Sequence, residues 1–256
     1  MALTALTACG SDDAGTSSAD PDQVDRLEAP DTGECRQLTV ADLSAPTNAT
    51  RTIDCREEHT AQTFAAGDLP AALDDAEPDS PEVAAHAYRT CSAGLREFLT
   101  ADESAAMRSV LTWAWFRPSD DAWEQGARWY RCDVVAGGTA AGVLYPLPRS
   151  AAGLLEGRPE DQWLVCARGA TIASNPPVRC SEPHDWRAVT TIKLGEPGDP
   201  YPGDRLSEVR TRDFCSDSVG AWLGYPDNYD YAYTWFHEAE WEFGNRRSIC
   251  WAKTDK

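Results

Sequence analysis

The chain has 256 residues and a mass of 28.0 kDa, with 23 Lys+Arg against 42 Asp+Glu and a formal net charge of −19. Such a surface repels phosphate backbones and offers no polybasic patch, which argues against nucleic acid or electrostatic membrane binding as its business. Hydrophobic residues make up 42% and there are ten Trp, enough for a packed core, while no run approaches the roughly 18 apolar residues of a spanning helix.

The first elements in chain order are not core. Leu6-Thr7-Ala8-Cys9 has the small residues before a Cys that mark a bacterial lipobox, so 1–9 reads as a truncated lipoprotein signal with Cys9 acylated. Residues 10–32 are rich in Gly, Ser, Ala and Asp and read as a disordered acidic tether. The other eight Cys (35, 55, 91, 132, 166, 180, 215 and 250) contain no C-x-x-C pair, so they read as disulfides of an exported protein and not as zinc ligands.

From residue 33 the strand-prone stretches are Thr60 to Phe64 and Ser109 to Phe116, with Cys132 facing inward on a further strand in which Tyr130, Cys132 and Val134 alternate with Trp129, Arg131 and Asp133. Between them Pro81 to Leu99 reads as a helix, capped by Ser80 and carrying Val83, Ala87, Cys91, Leu95 and Phe98 on one face. Gly and Pro punctuate a boundary over 141–162, where Val143 to Tyr145 is a last strand of the first unit. Then the series recurs: a strand over Ala188 to Leu194, a helix over Leu206 to Leu223 with Cys215, Val219 and Trp222 on one face and Gly224 ending it, and a strand over Tyr231 to Phe236.

The recurrence extends to side chains. Trp123-Glu-x-Gly126-x-Arg128-x-x-x-Cys132 matches Trp241-Glu-x-Gly244-x-Arg246-x-x-x-Cys250, and Cys55-x-Glu-x-His59 matches Cys180-x-Glu-x-His184. The four Cys of each half correspond in order. The fold class is therefore α+β: two tandem homologous domains, at 33–140 and 163–256, each an antiparallel sheet with one packed helix and two disulfides. Four Cys allow three pairings per domain. The nested one is favoured, Cys35–Cys132 with Cys55–Cys91 and Cys166–Cys250 with Cys180–Cys215, because it closes the outer strands and gives the helix Cys an inward partner.

Cys180-Ser-Glu-Pro-His184 before a strand, the Cys-bearing helix after it and the W-x-x-G-x-R-x-x-x-C closing strand resemble the actinobacterial septum formation family. The resemblance covers about residues 33 to 256, with Glu58 standing where the second copy has Pro183. It implies an exported envelope protein linked to division and supplies no catalytic residues.

Cys55/His59 and Cys180/His184 could pair a nucleophile with a base, or form half a metal site, only if the Cys were reduced. Their duplication suits scaffold better, so His59, His184, Trp123, Gly126, Arg128, Trp241, Gly244 and Arg246 are read as structural, with Trp115 and Trp235 also in the core. Neither G-x-S-x-G, a P-loop nor H-E-x-x-H is present. No enzyme, cofactor or metal is expected. The unshared Trp113, Trp129, Trp186 and Trp251 are read as surface, as is the loop with Tyr225, Tyr229 and Tyr231; Trp186 and the three Tyr are the candidate partner site. The expectation is a lipid-anchored, extracytoplasmic binding or scaffold module, held at the membrane through Cys9 and meeting an envelope protein or cell-wall partner. A Cys/His enzyme, redox or metal protein and a glycan binder are the alternatives.

Overall fold

The computed structural model describes residues 19–172 and 176–254. Cys9 and the lipobox lie outside the described residues. In the first repeat, helix α1 (Asp22–Asp25) precedes strands β1 (Cys35–Arg36) and β2 (Ala61–Asp68). Helices α2 (Pro81–Leu99) and α3 (Glu103–Met107) lead into β3 (Leu111–Phe116), α4 (Asp120–Glu124), β4 (Trp129–Gly138) and β5 (Val143–Tyr145). The second repeat holds β6 (Val165–Ala167), β7 (Pro177–Arg179), β8 (Trp186–Lys193), α5 (Asp204–Leu223), β9 (Tyr231–Thr234), α6 (Glu238–Glu242) and β10 (Arg247–Lys253).

Both sheets are antiparallel and share one strand order. The first runs β1-β2-β4-β3, with β5 added on β4; the second runs β7-β6-β8-β10-β9. Removing β5 and β7 leaves the same four-strand plan twice, each with one long helix on one face. Helix α2 begins where Ser80 accepts a hydrogen bond from the Val83 N–H, and it buries Val83, Ala87, Cys91, Leu95 and Leu99. Helix α5 ends at Gly224 with φ +82°, a left-handed cap that glycine adopts without cost.

The strand order overturns the nested disulfide pairing. The bridges are Cys35–Cys55, Cys91–Cys132, Cys166–Cys180 and Cys215–Cys250. Strand β2 lies between β1 and β4, and Cys35 and Val134 both lie level with Gln62. Cys35 and Cys132 are thus two strands apart, roughly 9–10 Å, beyond what a disulfide spans. Cys35 instead meets the loop that pairs with it through Ile53, and the helix Cys reaches down onto β4. The consecutive pairing repeats faithfully in the second domain.

Three further expectations are corrected by one fact: both faces of each sheet are covered. The segment 19–32, read as part of a disordered tether, packs on the first sheet. The Trp129 Nε1–H donates to the Arg26 carbonyl at 2.9 Å, Ala29 packs beside Trp129, and Gln23 is buried against Arg36. Trp129 is therefore fully buried, not surface. On the same face of the second sheet, Trp186 and Trp251 are buried in a core shared with the first repeat, and Trp113 is half-buried beside it. That core takes Leu95 and Leu99 from α2, Val134 and Ala136 from β4, and Tyr145, Leu147, Ala151, Leu155 and Trp163 from the connecting segment. The stretch 141–162 is accordingly core-forming as well as connecting. Trp222, expected on the buried face of its helix, is 50% exposed.

The repeats are stitched together in other ways. The Val110 N–H donates to the Trp163 carbonyl at 3.0 Å and the Val165 N–H to the Arg108 carbonyl at 3.0 Å. Arg247 of β10 pairs with Glu103 of α3 at 2.6 Å, and Thr191 of β8 donates to Ser104 at 2.8 Å. No helix among the described residues is long and apolar enough to cross a membrane.

Candidate functional site

The duplicated motif residues build scaffold. In the W-E-x-G-x-R segment, α4 and α6 each supply the Trp and Glu, and the glycine follows with φ +100° (Gly126) and +109° (Gly244). The arginine then folds back over its tryptophan, Arg128 over Trp123 at 4.3 Å and Arg246 over Trp241 at 3.9 Å. Each guanidinium also donates to carbonyls at and just past the helix end: Arg128 to Trp123 and Ala127, Arg246 to Trp241 and Asn245. A planar, five-donor cation that stacks and caps at once is why this position holds Arg. Trp123 and Trp241 are buried, while Trp115 and Trp235 are half-buried.

His59 and His184 occupy equivalent places. Each is buried, and each Nδ1–H donates to the carbonyl two residues earlier, Glu57 at 2.9 Å and Glu182 at 2.7 Å. Their Cys neighbours are oxidised: Cys55 is bonded to Cys35 and Cys180 to Cys166, and a disulfide sulfur offers neither a thiolate nucleophile nor a metal ligand. Among the described residues no group of three or more His, Cys, Asp or Glu is placed to hold a metal ion.

Behind β4 lies a buried ionic network that the duplicated motifs do not include, because the described residues of the second repeat hold no counterpart. Arg131 and Asp133 are fully buried and paired at 3.0 Å, Asp133 accepts from Thr63 at 2.7 Å, and Thr63 accepts from Arg36. Burial pushes the Arg131 guanidinium down to about 10, against the pull of Asp133. The corresponding residues of β10 are Ile249 and Trp251, which face the shared core. The network is covered by Gln23, Glu34 and Asn48 and opens on no described cavity.

The expected aromatic surface divides. Tyr225 is 73% exposed, with φ +56°. Tyr229 and Tyr231 are half-buried against α5, the Tyr229 hydroxyl donating to the Ser216 carbonyl at 2.8 Å. They begin a row Tyr229, Tyr231, Tyr233, Trp235, His237 whose successive ring centroids lie 6.2, 6.5, 5.9 and 5.7 Å apart. Neighbouring rings are tilted by 30° to 63°, so the row is no flat platform.

The feature with room for a partner is the cleft between the repeats along β3. In β3 the Leu111 N–H and carbonyl turn away from β4 and bond the Ser109 hydroxyl, and the Arg117 N–H beyond the strand donates to the Pro46 carbonyl. By the two-residue alternation of a strand, Trp113 and Trp115 also turn their backbone groups to this outer side. Cavities of about 820 and 600 Å³ flank that edge, and Pro46, Asp79, Trp113 and Trp115 line both. The smaller is walled by Val83, Ala87 and Tyr88 of α2 and by Phe243 of the second repeat. Sequence reading missed it, since it exists only where two distant segments meet.

A tandem of disulfide-closed α+β domains sharing one core, with an apolar cleft at their junction, is the class of protein this fold defines. A family model described as septum formation matches the chain twice, over residues 6–116 and 108–250, and the chain belongs to that family. Comparison with curated proteins and with solved structures found no match.

Proposed function

We propose that this chain is a lipid-anchored envelope protein, acylated on Cys9, that serves septum formation as a non-enzymatic binding module. The inter-repeat cleft holds an extended segment of a protein partner. The observation that carries this is the β3 edge: outward backbone groups at Trp113 and Trp115 offer strand pairing, and the aromatic and apolar walls take alternate side chains. Membership of the septum formation family supports the division link. The oxidised state of Cys55 and Cys180 weighs against a Cys/His enzyme.

The test is site-specific photo-cross-linking in cells. A cross-linker at exposed Thr112, beside the cleft, is expected to trap a discrete partner, while one at exposed Arg210 on α5 traps none. Equal labelling from both positions, or none from either, would sink the cleft as the docking site. A second reading, glycan stacking on the Tyr229 to His237 row, is favoured only by the ring spacing. Trp emission that stays constant across a panel of wall fragments retires it.

A further inference from the structure

On the far side of the junction, where α3, the connecting segment and the second sheet meet, is a cavity of about 560 Å³. Its lining reverses the sign of the chain. Arg108, Arg158 and Arg187 line it, with Asp161 as the one acid, a local balance of 3 − 1 = +2 in a molecule whose net charge is −19. Arg187 is committed to Asp161 at 2.7 Å. The Arg108 side chain makes one hydrogen bond, from Nε to the Ser104 carbonyl at 3.2 Å, and neither Arg108 nor Arg158 makes an ion pair among the described residues. Burial pushes the half-buried Arg108 guanidinium down; Asp102 opposes this and the charge of Arg187 adds to it. Arg108 and Arg187 thus lie close enough to repel, partly offset by Asp102 and Asp161, and an anion in the cavity would relieve that repulsion.

Two further polar groups of the lining lack partners. His184 is 4% exposed, and with its Nδ1–H donated to Glu182 its Nε2 has no hydrogen-bond partner; the buried Thr254 Oγ1 has none either. His59, the counterpart of His184, also has an Nε2 without a partner but lines no described cavity, so the second repeat alone sets this ring in the wall of one. The exposed indole of Trp222, out of place on an ordinary helix surface, stands at the rim.

We propose that this cavity binds a phosphoryl group, with an attached ring or chain lying against Trp222. Planar forks from Arg108, Arg158 and Arg187 match phosphoryl oxygens, and a local charge of +2 matches a phosphate dianion better than a single carboxylate. The volume accommodates a diphosphate and a neighbouring ring. The phosphoryl group could belong to a soluble metabolite or a lipid headgroup, and the two sources separate by experiment.

The experiment uses the full oxidised chain carrying Cys9→Ser, so that no acyl group contributes. Trp emission and calorimetry follow titration with inorganic pyrophosphate, with succinate, and with phosphatidylcholine vesicles with and without phosphatidic acid. The expected result is saturable pyrophosphate binding that weakens roughly tenfold or more in Arg108→Gln and in Arg158→Gln, without loss of the unfolding transition. Arg158 is exposed and unpaired, so its variant tests the site even if Arg108→Gln fails to fold. Vesicle binding that requires phosphatidic acid and is displaced by pyrophosphate assigns a headgroup; binding in solution alone assigns a soluble ligand. Absence of binding to any probe, affinity unchanged in Arg158→Gln, or succinate binding as tightly as pyrophosphate would overturn the assignment.

Discussion

Single residues carry two jobs where the repeats meet. Gly126 and Gly244 both need a positive φ that side chains resist, yet their surroundings differ. A Cβ on Gly126 meets nothing within 4 Å, whereas one on Gly244 stands 2.7 Å from the Tyr88 ring of the other repeat. Gly126→Ala is therefore expected to cost about 1–2 kcal/mol of backbone strain, and Gly244→Ala clearly more, in urea denaturation. Equal costs would mean that Tyr88 yields freely. The buried pair makes a second expectation at this scale. Asp133→Asn leaves the Arg131 cation uncompensated and should cost about 3–5 kcal/mol, most of it recovered when Arg131→Met is added. A double variant no more stable than the single one would show that the pair is not the cause.

At the scale of elements, helix α2 was legible to the residue because a cap, an N-terminal proline and a four-step apolar face all lie within one stretch of chain. The motif roles of Trp123, Arg128, Trp241 and Arg246 were legible because duplication exposes what a fold needs twice. Disulfide pairing was not, since it depends on β2 entering between β1 and β4, a non-local event that no periodicity encodes. The burial of Trp129, Trp186 and Trp251 was hidden for the same reason: what covers each indole comes from far along the chain. Non-reducing peptide mapping is expected to recover Cys35–Cys55 and Cys215–Cys250 links, and a Cys35–Cys132 link would contradict the strand order. Removing Cys91–Cys132 should destabilise more than removing Cys35–Cys55. The sequence separations are 41 and 20, worth a difference of about 0.6 kcal/mol in chain entropy, and the helix bridge is also packed in the core.

For the whole molecule the shared core sets the expectation. Trp163 lies on the connecting segment, is buried among residues of both repeats, and its carbonyl accepts from Val110. Scanning calorimetry should show one cooperative transition for the two repeats, and Trp163→Ala should move that transition down as a unit, by about 3–5 kcal/mol. Two separate transitions, with only one displaced, would show that the repeats are independent beads. The cleft and the basic cavity both sit at the junction, so neither site would survive separation of the halves.

The covering of the two sheets has an architectural consequence. The open face of the second sheet is satisfied by the first repeat, and that of the first sheet by the chain's own residues 19–32. Anything stacking on the outer face of the first sheet would first have to displace residues 19–32. Residues 19–32 thus stand in for a neighbouring unit: a short run of chain does for the first sheet what a whole repeat does for the second.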